Sequence, residues 1–340
     1  MTGSTIKDVA RVAGVSVGTV SRVFHGVKSV SPAVRTRVQA AIKTLNYRPD
    51  RVAQSMRYKS TKIIACVARD ISIPGFGATV NAAQDVLRES GYSLMLATSD
   101  DRRDREIELF ASLRQQRIDG LILTLSTEKD QELIEAIASI KVPVVLLDRD
   151  ISSAFDAVNV DHRGGILAAT EYLLGLGHKR IALLTGRADV WAARERIIGY
   201  RNAHEAVHQP IESNMICEGS FAAEFAFREM TALLESSHPP TAVIAGGMSM
   251  LPGTLQAIVS RGLRIPHDIS VIASGDTDLA ALATPSITAI RWDNTEVGRA
   301  AVNLLLGRLS GEIDGTSRRI HLPAEIVMRR SCSAPNVKAS

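Results

Sequence analysis

Thr5–Gly26 reads "TIKDVARVAGVSVGTVSRVFHG". Ile6, Val9, Ala10 and Ala13 recur at helical spacing, with Thr5 placed to cap the helix and Gly14 to end it. After a tight turn, Ser16 can cap a second helix over Val17–Phe24, whose Val20, Val23 and Phe24 would pack back on the first. Ser31-Pro32 then opens a third, serine as cap and proline at the first helical position. Val34, Val38, Ala41, Ile42 and Leu45 give that helix one apolar face. Three short helices joined by a glycine turn predict a helix-turn-helix head.

The charge distribution agrees with a polyanion-binding head. The chain carries +4 overall in 340 residues, but residues 1–60 hold seven Arg and four Lys against Asp8 and Asp50, a net +9, which leaves −5 on the rest. Charge alone does not separate nucleic acid from an anionic membrane. Apolar residues make up 45% and charged residues 22%, an ordinary globular balance. No apolar run approaches the roughly 18 residues of a membrane span. Met1–Lys7 lacks an apolar core that could act as an export signal, so a cytoplasmic protein is expected. Cys66, Cys217 and Cys332 form neither a metal pattern nor a disulfide framework.

A second helix of this kind enters the major groove by its N-terminal end, where side chains must be small or chemically specific. Val17, Gly18, Ser21 and Arg22 fall on the face that Val20, Val23 and Phe24 leave free. Gly18 permits close approach at the cost of about 1 kcal/mol of helix propensity. Val17 could meet a thymine methyl or simply pack. Arg22 could fork onto a guanine or clamp a phosphate. Ser16, Thr19 and Ser31, with Thr5 beside them, are expected at phosphates rather than bases. His25 is open between a backbone contact and an idle loop position.

The blocks DVA, AGVS, TVSRV and LNYRP, in this order and spacing over about fifty residues, resemble the DNA-binding head of the lac repressor (LacI/GalR) family of transcription regulators. The resemblance implies that "DRVAQSMR", Asp50–Arg57, becomes a helix on DNA, pairs with its twin and pushes Met56 into the minor groove as an apolar wedge. Arg51, Ala53 and Arg57 would lie beside the DNA there. Many members carry leucine where Met56 stands.

From Lys62 the pattern alternates between short β-rich runs and amphipathic helices: "KIIACVARD", "TVNAAQDVLRESGY", "SLMLATSD", "REIELFASLRQQRIDG" and onward. Such alternation predicts an α/β fold with parallel sheets covered on both faces, and the series runs twice, predicting two Rossmann-like lobes. Ligands of open α/β sheets bind at the carboxyl ends of the strands, here between the lobes. "VNVDHRGG", "LGHKRIALLTG", "RERIIGYRNA" and "GLRIPHDISVIASGDTD" resemble the same family's periplasmic-binding-protein-like effector domain. The expected organisation is a head over 1–48, a hinge over 49–60 and an effector-binding and dimerisation domain over 61–335. Lobe 1 is expected at 61–158 and 290–318, lobe 2 at 159–289 and 319–331.

The resemblance places Phe76, Asp148, Arg196, Phe221, Arg291 and Asp293 at the effector. It also exposes one departure. Members usually carry an Asn-Asp pair shortly after "PTAVIA", where this chain has Gly247 and Met248. That aspartate normally takes sugar hydroxyls. Its loss, with arginines nearby, favours a sugar acid or other carboxylate over a neutral hexose.

The expected function is a ligand-responsive, DNA-binding repressor of a carbohydrate or sugar-acid operon. It would act as a homodimer on double-stranded operator DNA, with a small-molecule effector and no cofactor, metal or membrane. The alternatives are a transport-type sugar-binding protein, which would not need the basic head, and a nucleotide-using α/β enzyme. No GxGxxG, P-loop or GxSxG motif supports an enzyme, and His162, His178, His204 and His208 lack metal-ligand spacing.

Overall fold

Thr5 opens helix α1 (Ile6–Ala13) through a capping box: its hydroxyl and Asp8 satisfy each other's backbone N–H groups, and Gly14 closes the helix with a left-handed φ of 63°. The computed structural model describes residues 4–24, 30–47, 60–151 and 154–336. The chain divides into two units, Met1–Thr61 and Lys62–Ser340.

In the first unit α2 (Val17–Phe24) and α3 (Pro32–Thr44) complete the three helices. Val9, Val20 and Val38, one from each helix, are fully buried together. Ser16 Oγ accepts the Thr19 N–H at 3.2 Å, so it caps α2 as expected. Ser31 differs: it stands at the N-cap of α3 but makes no side-chain capping bond, and the rigid Pro32 sets the helix start instead.

The second unit holds two six-stranded sheets. The first comprises β1 (Ile63–Ala68), β2 (Ser93–Thr98), β3 (Gly120–Leu123), β4 (Val144–Leu147), β5 (Asp156–Val160) and β11 (Arg319–Leu322). Its spatial order is β11-β5-β4-β3-β1-β2, all parallel. The second comprises β6 (Ile181–Gly186), β7 (Ile216–Gly219), β8 (Ala242–Ala245), β9 (Ser270–Ser274), β10 (Thr288–Arg291) and β12 (Glu325–Val327). Its order is β12-β10-β9-β8-β6-β7, with only β12 antiparallel. Strands such as "VVLL" and "AVIA" are apolar at every position because helices cover both faces.

The helices in chain order are α4 (Phe76–Glu89), α5 (Arg103–Gln116), α6 (Gln131–Ser139), α7 (His162–Gly175), α8 (Trp191–Ala206), α9 (Ala223–Glu235), α10 (Met250–Ser260), α11 (Asp278–Leu282) and α12 (Asn294–Ser310). Three pairs of them meet across glycine. A Cβ on Gly199 of α8 would lie 2.3 Å from the Arg163 carbonyl oxygen on α7. Gly253 of α10 and Gly298 of α12 stand as close to Ala223 on α9 and Thr79 on α4.

The chain passes between lobes after β5, after β10 and after β11, and this corrects the expected lobe bounds. Asn159 and Val160 belong to the first sheet, and β10 lies wholly in the second. Arg319–Leu322, expected in lobe 2, pairs in parallel with β5 of lobe 1. The reason is a partly buried ion pair: Arg308 of α12 grips Asp156 through two 2.8 Å hydrogen bonds and Asp156 also takes the Arg318 N–H, which holds the following strand in lobe 1. Pro323 then separates β11 from β12, so "RIHLPAEIV" is split between the two sheets.

Candidate DNA-reading face and ligand cleft

Helix α2 buries Val20 and Val23 and turns Ser16, Gly18 and Arg22 outward. Thr19 and Ser21 are half-buried beside them, and Val17 is half-buried against the head core, so only part of its side chain remains available. Arg22 forms no hydrogen bond or ion pair with the described residues; its Nη2 lies 4.0 Å from where a Gly18 Cβ would stand. A free guanidinium over a bare stretch of backbone is an arrangement able to follow a base edge. Thr5 is committed to its cap: its hydroxyl lies 2.7 Å from Asp8 Oδ2. Ser31 is exposed, with its hydroxyl unused by the cap. His25, Arg51, Ala53, Met56 and Arg57 lie outside the described residues.

In the second unit a cleft of about 830 Å³, counted to its open mouth, collects Phe76, Asp148, Arg196, Phe221 and Met248 from the expected set. Arg291 and Asp293 do not line it. Arg291 ends β10 on the exposed side and pairs with Glu325 of β12 at 3.1 Å. Asp293 caps α12 by accepting the N–H groups of Thr295 and Glu296 at 2.8 and 3.0 Å. Between them Trp292 faces the cleft, because neighbouring positions leaving a strand point opposite ways.

Arg69, Thr124, Arg149, Ser249, Trp292 and Asn294 also line the cleft and were not singled out from the sequence. The signal was available for two of them: Arg69 and Arg149 follow the carboxyl ends of β1 and β4, where an open α/β sheet binds its ligands. Asp148 adopts a left-handed φ of 50° directly after β4, and this turn brings its carboxylate and the next side chain, Arg149, to the same cleft.

Electrostatically the site is crowded with guanidinium. Burial depresses the Arg196 pKa to about 10, and Arg149 and Arg69 add to the depression against the pull of Asp148. Burial likewise lowers Arg149, with Arg69 contributing. Burial pushes Asp148 upward, yet His162, the Val160 N–H and Arg196 outweigh it and hold the carboxyl below its ordinary value. His162 is itself lowered, first by burial and then by Arg196, so it is neutral near pH 7. Its Nδ1 accepts from Arg196 Nη2 at 3.2 Å, which leaves the proton on Nε2, 3.1 Å from Asp148 Oδ2. Phe221 lies between Arg69 and Arg196, whose guanidinium carbons sit 5.1 and 5.2 Å from its ring centre. Added Cβ atoms on Gly186 and Gly247 would each collide with the Phe221 ring, so glycine at both positions creates its seat.

Residues 5–50 match the family model for bacterial regulatory proteins of the lacI family, and residues 170–332 match that of a periplasmic binding protein-like domain. The HTH-type transcriptional repressor PurR of Haemophilus influenzae (strain PittEE) is 32% identical over 96% of this chain and 98% of its own. The chain belongs to the LacI family of bacterial regulatory proteins. Another LacI-family relative, the ribose operon repressor of Escherichia coli (strain K12), is 36% identical over 90% of this chain and 93% of its own. Among solved LacI-type structures, the lac repressor dimer bound to operator and the anti-inducer ONPF superposes with a TM-score of 0.83 at 28% identity, covering 98% of this chain and 100% of that one. The complex of the transcriptional regulator CelR with cellobiose gives 0.72 at 30% identity, covering 96% and 99%.

Proposed function

We propose that this protein is a ligand-controlled repressor that binds operator DNA through α2 and α3 and takes its effector in the cleft between the lobes. The observation that carries the reading is the outward face of α2, where Ser16, Gly18 and an Arg22 without a partner among the described residues stand at the end that helix-turn-helix proteins place in the major groove. The relatives support it: they are transcriptional repressors, and the lac repressor neighbour is a dimer on its operator.

The protein works as a homodimer, because one head reads one half-site and twofold symmetry supplies the second. Arg22 reads a base, while Ser16, Thr19 and Ser31 hold the backbone. The hinge over 49–60 joins the DNA contact, with Met56 as the wedge. Phe76, Asp148, Arg196, Phe221 and Met248 contact the effector. Ligand binding changes operator affinity only to the extent that the ligand prefers one lobe arrangement over the other.

The test is an electrophoretic shift with fragments of the source genome, repeated with metabolites present. Specific retardation that a metabolite strengthens or abolishes supports the reading. Retardation no better than that of a protein lacking the first sixty residues overturns it.

A further inference from the structure

The cleft has hydrogen-bond donors to spare and few acceptors. Arg196 is 5% exposed, and its Nε is buried without a partner among the described residues. Arg149, also 5% exposed, spends Nε on the Leu125 carbonyl and Nη1 on the Asp148 carbonyl, each at 2.7 Å, which leaves Nη2 unused among the described residues. The Arg69 side chain donates no hydrogen bond among the described residues; Asp101, half-exposed, holds its carboxylate 3.6 Å away. The acceptors are fewer, and two of them are engaged. Asp148 Oδ1 takes the Val160 N–H at 2.9 Å, while Oδ2 stands 3.1 Å from His162 Nε2. Asn294 Oδ1 takes the indole N–H of Trp292 at 3.1 Å.

A ligand built of hydroxyl groups alone would leave these cationic donors short of charge in a site they have already been desolvated to form. Buried charge is costly unless paired. We propose that the cleft takes a small-molecule oxyanion, the carboxylate or phosphate ester of a polyol, held by Arg149 from the first lobe and Arg196 from the second. Arg69 adds a third positive charge at the rim, and the rings of Phe221 and Trp292 take the carbon face of the polyol. This rests on the cleft being the effector site.

The charge arrangement also supplies the energy that the regulation needs. Arg69 and Arg149 sit on one lobe and Arg196 on the other, so like charges face each other across the cleft. That repulsion, offset in part by Asp148 of the first lobe, opposes closure without a ligand. An anion between them reverses its sign, so the ligand binds the closed arrangement better than the open one, which is the differential affinity a switch requires.

The experiment uses the full chain in thermal-shift and calorimetric titrations with D-gluconate, D-galacturonate and D-glucose 6-phosphate, each against D-glucose and D-galactose. At least one anion is expected to raise the unfolding midpoint while its neutral counterpart at equal concentration does not, with affinity falling as salt rises. Which anion binds separates carboxylate from phosphate. Arg69→Gln, whose side chain donates no hydrogen bond among the described residues, is expected to weaken that binding at least about tenfold while the protein stays folded. Arg149→Lys is expected to weaken that binding as well while keeping its charge, because one ammonium cannot serve both carbonyls and the ligand. Neutral sugars binding as well as acids, no acid binding, or both variants keeping full affinity for the acid overturns the proposal. An acid that binds without altering operator affinity upholds it and defeats the regulatory reading instead; a neutral sugar that releases DNA does the reverse.

Discussion

Glu128, in the loop after β3 of the first lobe, accepts the backbone N–H of Trp191, the first residue of α8 in the second lobe, at 2.7 Å. The carboxylate thus sits on the positive end of a helix belonging to the opposite lobe. Arg194 Nη2 joins it at 3.3 Å, and beside it Thr127 donates to Asp189 at 3.0 Å. The two lobes are fastened at this rim by polar contacts rather than by a continuous apolar interface. Glu128→Ala is expected to lower stability by about 1–3 kcal/mol, since it leaves a buried N–H without a partner. It should also change operator affinity by altering how readily the lobes part. Denaturant unfolding and DNA titration of the same preparation check both effects, and unchanged stability contradicts the first.

The glycine contacts between helices predict an inverted response to a substitution that usually helps. Gly→Ala inside a helix should gain about 1 kcal/mol from propensity. At Gly199, Gly253 and Gly298 the added methyl meets a neighbouring backbone carbonyl at 2.3, 1.9 and 2.1 Å. Backbone cannot swing aside, so each of these alanine variants is expected to lose about 1–3 kcal/mol through overpacking. Thermal melts of the three variants provide the check.

Gly18 makes the opposite case. A Cβ there meets nothing nearer than Ser16 Oγ at 3.8 Å. Gly18→Ala is therefore expected to stabilise the head by about 1 kcal/mol. If α2 lies against base edges, larger replacements such as Gly18→Leu should cost operator affinity without unfolding the head. Arg22→Ala should cost about 1–3 kcal/mol of binding and relax the preference for one base. Equal loss on specific and random duplexes would show that Arg22 holds a phosphate instead.

Asp156 ties stability to acid. Burial raises its pKa, but Arg308 and the Arg318 N–H lower it further, so the folded value lies below the ordinary one. A carboxyl depressed on folding stabilises above its unfolded pKa of about 3.9, and that contribution is lost as pH falls through the lower folded value. Asp156→Ala should cost about 1–3 kcal/mol near neutrality, because it takes two charge-assisted hydrogen bonds from the partly buried Arg308 and leaves the Arg318 N–H without its acceptor. It should also flatten the dependence of the unfolding midpoint on pH below about 4. A variant whose midpoint still falls as steeply with acid as the parent's counts against this account.

The three helices of the head were legible, the Ser31 cap apart, because a short helix is specified by near neighbours. Thr5, Gly14, Ser16 and the valines at three- and four-residue spacing act within a few residues of themselves, and the observed caps and core use them. Alternating strand and helix patterns likewise foretold two parallel sheets, since all-apolar strands such as Val144–Leu147 require cover on both faces. The ownership of the last strands was not local information. Arg319–Leu322 joins the first sheet because Arg308 meets Asp156, 152 residues away, and no pattern around residue 319 records that pairing.

The cleft divides in the same way. Motif position named Asp148, Arg196 and Phe221, which line the cleft, and Arg291 and Asp293, which do not: one pairs across a surface strand and the other caps a helix. The sequence by itself determined which elements form and which strand ends could bear a site. The tertiary structure alone decided which side chains meet there, because direction at a strand end depends on a single residue's backbone turn, as at Asp148. How much of a guanidinium is left without a hydrogen bond, as in Arg149 and Arg196, depends on which carbonyls and rings the fold brings beside it.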